Sequence, residues 1–344
     1  MSAAALAIQA TGLVTPVGPT APLSCAAFRA KLTNPTPTRF LDSDGLPIMA
    51  HQVELDMPWR GIPKLARMAA MSIEEALQAV PREEWGQLPL LLCVAERERV
   101  GRIAGLDDAL YAEIEQLLGV RFATGSMVVP HGRVGVAVAL SQARVLLGGP
   151  KPPPRVLVAS ADSLLVWPTL DHFDLAGRLL AAHNSNGFIP GEAAGALLVA
   201  RPTPGASELL CSGIGFAREP AHIDSEAPLR ADGLSEAIRA SLGDAHCEMH
   251  DMDFRITDLS GEQYYFKEAT LALSRTLRRL KDEFDIWHPA ECTGEAGASA
   301  GTTVISLARE ACRKGYARGH RILAHWSNDG GQRAAVTLHY QGGT

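Results

Sequence analysis

Aromatic residues are scarce in this chain, at 6% Phe, Trp and Tyr, and positive charge is not in excess. Lys and Arg number 32 against 38 Asp and Glu, giving a net charge of −6 and a pI near 6.0. Such a chain lacks the electrostatic footprint and stacking platforms of a nucleic-acid binder, and has no field to hold it to anionic lipid. Long apolar runs are missing too, since none approaches the roughly 18 residues of a membrane span. The opening stretch, MSAAALAIQATGLVT, has no Lys or Arg ahead of its apolar residues, so no secretory signal is expected. The cysteines (Cys25, Cys93, Cys211, Cys247, Cys292 and Cys312) form no CxxC pair, and several sit in apolar runs such as Leu91-Leu92-Cys93-Val94. Buried reduced thiols are expected rather than a disulfide framework, which suits a cytoplasmic location.

Several chemical motifs are also absent. There is no P-loop, no complete GxGxxG after a strand and no HExxH. His246, Cys247, His250 and Asp251 are the one metal-like cluster. A zinc site normally needs a second supporting pair, so this segment reads as a polar loop before a strand. No cofactor and no metal are expected.

What the chain does have is core material: 344 residues, 47% hydrophobic, enough for two domain-sized units or one large duplicated fold. Short apolar β-type runs alternate with amphipathic stretches, the pattern of an α/β protein. Strands are expected at Leu6–Gly12, Leu88–Val94, Val156–Ser160, Ala194–Ala200, Leu209–Phe216, Phe254–Leu259, Arg321–Trp326 and Ala334–His339. Helices are expected at Pro63–Val80, Leu106–Leu118, Val134–Leu147, Leu164–Leu180, Leu234–Leu242, Gln263–Phe284 and Gly301–Lys314. Residues 41–60 read as loop with one short strand, and the charges between Glu262 and Glu283 as the solvated face of a helix. Pro150-Lys151-Pro152-Pro153-Pro154 makes a stiff crossover. Arg201-Pro202-Thr203-Pro204-Gly205 is the best seam, dividing residues 1–204 from 205–344, each with strands alternating with helices.

Four segments in order carry a resemblance: Thr11–Gly18, Val156–Asp162, Asn186-Gly187-Phe188-Ile189-Pro190-Gly191-Glu192-Ala193-Ala194-Gly195-Ala196, and Thr293–Gly301. The third is the most specific, because its glycines let strands approach closely and Glu192 can hold a neighbouring loop by accepting backbone N–H groups. Together they resemble the β-ketoacyl synthase branch of the thiolase family. The resemblance implies an α/β fold of five layers, αβαβα, built from two similar halves, and usually a homodimer. In such a dimer the strand at Val156–Ser160 would lie near the two-fold axis.

Condensing enzymes of that family use a cysteine thiolate at a helix N-terminus, activated by the helix dipole and backbone N–H groups, with two histidines to stabilise the enolate. By position, the nucleophile falls on Gly132, which has no side chain; neighbouring His131 and Arg133 form no thioester either. The first histidine position falls on Ser260, which reads equally well as an N-terminal cap of the following helix. The second falls on Glu295, whose carboxylate would repel an enolate unless burial kept it protonated. Where the family has an aromatic gating loop, Asn328 and Asp329 stand. His131 could serve as a base or satisfy the turn, and Cys292 is the candidate for a relocated nucleophile, though a packed thiol is the plainer reading.

The resemblance with its chemistry removed implies a non-catalytic ketosynthase-like binding or adaptor protein. HGRVGVAVALSQAR and NSNGFIPGEAAGALLVA also resemble ketosynthase-like accessory proteins of bacterial type VI secretion, so a secretion component is one expected partner. The alternatives are a chain-length-factor-like partner of an active ketosynthase, for which the chain looks short, and an acyltransferase with relocated catalytic residues.

Overall fold

The computed structural model describes residues 4–342. The first half runs β1 (Leu6–Val14), α1 (Ala21–Arg29), β2 (Thr36–Leu41), β3 (Pro47–Ala50), α2 (Gly61–Ala76), β4 (Leu90–Cys93), α3 (Leu106–Leu118), β5 (Met127–Val129), α4 (Gly135–Gly148), β6 (Val156–Ser163), α5 (Trp167–Leu175) and β7 (Glu192–Ala200). The second runs β8 (Glu208–Arg218), α6 (Asp232–Asp244), β9 (Phe254–Thr257), α7 (Gln263–Thr276), β10 (Ile286–Trp287), α8 (Ala290–Thr293), α9 (Ala300–Arg313), β11 (Arg321–Ser327) and β12 (Gln332–Gln341).

Ten strands form one sheet in the order β10-β9-β11-β12-β8-β1-β7-β6-β4-β5. Outward from the β8–β1 junction, each half repeats one order: its first strand, then its fifth, fourth, second and third, leaving aside the β2–β3 hairpin. The halves meet where β1 pairs antiparallel with β8, with Ala7 opposite Leu210. The strands are apolar on both faces, as buried strands must be: every residue of β7 is buried.

Side-chain packing supplies the layers. Helices α4 and α9 share one core cluster with strands of both halves, through Val136, Leu140, Val304 and Ile305. Gly301 makes that contact close, since a Cβ there would lie 2.5 Å from Val136 Cβ. Helices α2 and α3 cover the outer face of the first half, and α6 and α7 that of the second. The result is the expected αβαβα arrangement.

Several sequence expectations need correcting. The helix expected at Leu164–Leu180 spans only Trp167–Leu175: Pro168 sits in its first turn and Gly177, at φ 62, follows its end. The helix expected to reach Phe284 stops at Thr276. Leu280, which should have continued its apolar face, is 93% exposed, so Arg278, Arg279, Lys281, Asp282 and Glu283 lie beyond the helix rather than along it. Residues 41–60, by contrast, are loop with one short strand as expected: β3 is the return strand of the β2–β3 hairpin. Strand β6 is buried between β4 and β7, so Val156–Ser160 has no free edge at which a second copy could pair. Among the described residues no helix is long and apolar enough to cross a membrane, and no group of three or more His, Cys, Asp and Glu comes together as a metal site.

Candidate functional site

The inner helices α4 and α9 begin with the same backbone turn. His131 (φ −121, ψ 17) leads into Gly132 (φ 53) and a 3-10 turn at Gly132–Val134. Ala296 (φ −109, ψ 19) leads into Gly297 (φ 55) and a 3-10 turn at Gly297–Ser299. Left-handed backbone costs a residue with a side chain roughly 1–2 kcal/mol, and glycine avoids that cost.

Space imposes a second constraint. A Cβ on Gly132 would run into the Glu96 carboxylate and meet Asn328 Oδ1 at 3.3 Å. A Cβ on Gly297 would run into the Asp162 carboxylate and lie 2.8 Å from Arg99 Nη2. One guanidinium holds both acids. Arg99 donates to the two Glu96 oxygens at 3.0 and 2.7 Å, and to the two Asp162 oxygens at 2.8 Å each. Asp162 in turn accepts the Ala298 N–H at 2.7 Å, which ties the triple to the turn before α9.

A second ionic cluster closes the other wall. Arg133 donates to Glu295 at 3.3 Å and to the Tyr265 hydroxyl at 2.9 Å, and pairs with Asp329. Arg178 makes a two-pronged contact with Glu262 at 2.7 and 2.8 Å, donates to Asp329 at 2.7 Å, and stacks over Phe173 at 4.9 Å. Two-pronged charge-assisted bonds of this kind fix geometry as well as charge. Burial raises the Glu295 carboxyl above its usual range, with Arg133 and the Gly297 N–H opposing that shift. Burial also works to raise Asp329, but Arg133 and Arg178 outweigh it and hold this carboxyl well below the usual range. Between the clusters remains a cavity of about 20 Å³, bounded by Arg99, Arg133, Arg178 and their acids. That is room for about one water.

Of the residues picked from sequence, Gly132, Ser260 and Glu295 border this locked region. Ser260 does not cap α7: the N-cap residue is Glu262, and the Ser260 hydroxyl donates to Glu295 at 3.0 Å. His131 turns its side chain to solvent, and its carbonyl accepts Asn328 Nδ2 at 2.9 Å. Asn328 and Asp329 thus tie their loop to His131, Arg133 and Arg178. Cys292 is elsewhere, lining a separate cavity of about 380 Å³ with Trp287, His288 and Tyr316. Burial, helped by Glu291, pushes its thiol up to about 11, so it is protonated at neutral pH.

Glu96, Arg99, Arg178 and Tyr265 belong to the site and were not singled out from the sequence. A signal existed for two of them. Arg178 interrupts the apolar run Leu175-Ala176-Gly177-Arg178-Leu179-Leu180, and Arg99 follows a strand in Glu96-Arg97-Glu98-Arg99.

No family model matches the sequence, and no curated protein matches it. Solved structures do match. A type II polyketide synthase acyl-carrier protein in complex with its hexaketide-bound ketosynthase aligns at TM-score 0.82 and 13% identity, covering 98% of this chain and 100% of that one. The ishigamide ketosynthase/chain length factor aligns at TM-score 0.79 and 16% identity, again covering 98% and 100%. A ketosynthase in complex with its chain length factor from Xenorhabdus doucetiae aligns at TM-score 0.74 and 12% identity, covering 98% of each chain. These alignments run nearly end to end. The chain has the thiolase-like fold of ketosynthases and chain length factors.

Proposed function

We propose that this chain is a non-catalytic ketosynthase-fold protein that works by binding another protein. The observation that carries the reading is the turn before α4. Gly132 offers no side chain, the Glu96 carboxylate fills the space a nucleophile would need, and only about 20 Å³ lies beside it. Acyl transfer needs an activated nucleophile, proton-handling groups and room for the thioester. On the sequence resemblance Ser260 and Glu295 take the places of the family's two histidines, and the Ser260 hydroxyl donates to Glu295.

The comparisons favour a chain-length-factor-like role beside an active ketosynthase, since two of the similar structures are ketosynthases with a chain length factor. A bacterial type VI secretion component is the other partner class for the same adaptor role, supported by the sequence resemblance alone. Residues 1–204 and 205–344 are read as duplicated halves, supported by the recurring strand order. If a homodimer forms, β5 is the free sheet edge of the first half and the place for it. The reduced cysteines suit a cytoplasmic setting.

Incubation with acyl thioesters followed by intact-mass measurement tests the non-catalytic reading. No covalent adduct is expected. An adduct abolished by Cys292→Ser would replace it with an acyltransferase whose nucleophile has moved. Co-purification from the native cell tests the partner: a ketosynthase favours the first class, a secretion spike or effector the second, and no partner defeats the binding role.

A further inference from the structure

A cavity of about 530 Å³ lies on the other side of the segment 163–165 from the locked site: Leu164 faces the ionic cluster, whereas Ser163 and Leu165 line this cavity. Its volume falls within the range of small-molecule sites. In a chain poor in aromatics, three of them from separate segments meet here, Phe40, Trp59 and Trp167. Phe40 and Trp167 stack with centroids 5.9 Å apart at 27°, and Trp167 remains 45% exposed, leaving ring surface open.

Charge in this cavity is one-sided. Its single acid, Glu192, is already committed: it pairs with Lys64, accepts the Ser163 hydroxyl at 2.8 Å and accepts the Val53 N–H at 2.9 Å. Arg39 and Arg60 line it with no carboxylate partner among the described residues; Arg39 instead lies over the Phe40 ring at 4.8 Å. Aromatic faces with unpaired guanidinium groups around a neutralised floor select a flat ring carrying negative charge. We propose that this cavity binds a planar aromatic anion, a ring system bearing a carboxylate, sulfonate or phosphate. The ring stacks on Trp167 and the anion faces Arg39 and Arg60.

Fluorescence titration of the full chain with anilinonaphthalene sulfonate, and in parallel with uncharged phenylnaphthylamine, tests this. The sulfonate is expected to saturate a single site. Trp167→Ala, at a position 45% exposed in the parent, should weaken it about fivefold while the variant's thermal unfolding stays cooperative. Arg39→Glu with Arg60→Glu should weaken the sulfonate about fivefold and leave the neutral probe within about twofold. Trp287→Ala, in the 380 Å³ cavity, should change neither. The proposal fails if the sulfonate does not saturate, if Trp167→Ala binds as the parent does, if the loss follows Trp287 instead, or if the charge reversal affects both probes alike. None of these outcomes bears on the adduct measurement that tests the non-catalytic role.

Discussion

The Glu96 carboxylate occupies the space that a Cβ on Gly132 would fill. Placing a thiol on this turn therefore strains the protein. Gly132→Cys combines the roughly 1–2 kcal/mol cost of left-handed backbone with displacement of an acid held by Arg99. It is expected to lower the melting temperature by several degrees and to acquire no acyl adduct by intact mass. Efficient acylation of this variant would mean that the cavity opens far more readily than its ion pairs suggest.

Asp329 joins Arg133, Arg178 and Tyr265, so Asp329→Asn removes the acid that two nearly buried guanidinium groups share. Breaking a buried pair from one side costs about 3 kcal/mol, to be read from denaturant unfolding at neutral pH. The pH dependence has a definite sign. Because the folded carboxyl sits below its unfolded value, its contribution is present above the usual carboxylate range and lost as pH falls through it. The variant should therefore show a shallower acid limb than the parent. Equal limbs would mean that Asp329 is not held as an anion.

Asp258 behaves oppositely. Burial pushes it up to about 7, against the pull of Arg133 and the Ser327 N–H. The folded state thus prefers the protonated acid. Its contribution is complete below the unfolded value near 4 and declines as pH rises through about 7. Asp258→Asn keeps an acceptor for the Ser327 N–H, 3.0 Å away in the parent. It should gain in relative stability across that window, as thermal unfolding at a series of pH values would reveal. A parent and variant that track each other would exclude a raised Asp258.

The fold was legible because its signals are local and repeated. Apolar strands such as β7, and glycines such as Gly191 and Gly195 that admit a neighbouring backbone or side chain, read directly from spacing. The glycine turn at Gly132 was legible for the same reason. The ionic lock around it was not, because it is assembled from distant pieces: Arg133 reaches Glu295 across 162 residues, and Arg178 reaches Asp329 across 151. No periodicity marks such partners. Ser260 illustrates the limit, since a serine shortly before a helix reads as a cap, and only the folding of the second half brings Glu295, 35 residues on, to its hydroxyl.

The two halves also share a mechanical element. Gly132 and Gly297 adopt φ 53 and φ 55, and a Cβ on either would displace an acid held by the same Arg99 guanidinium. Gly132→Ala and Gly297→Ala should each destabilise by at least the roughly 1–2 kcal/mol of the backbone term. The double variant should lose less than their sum, by about 0.5 kcal/mol or more, because the first substitution already disrupts the triple that the second would disturb. Urea unfolding of the four chains measures that coupling. Strict additivity would mean that the Glu96–Arg99–Asp162 triple absorbs each change independently, and that the two turns are alike in backbone but not linked in energy.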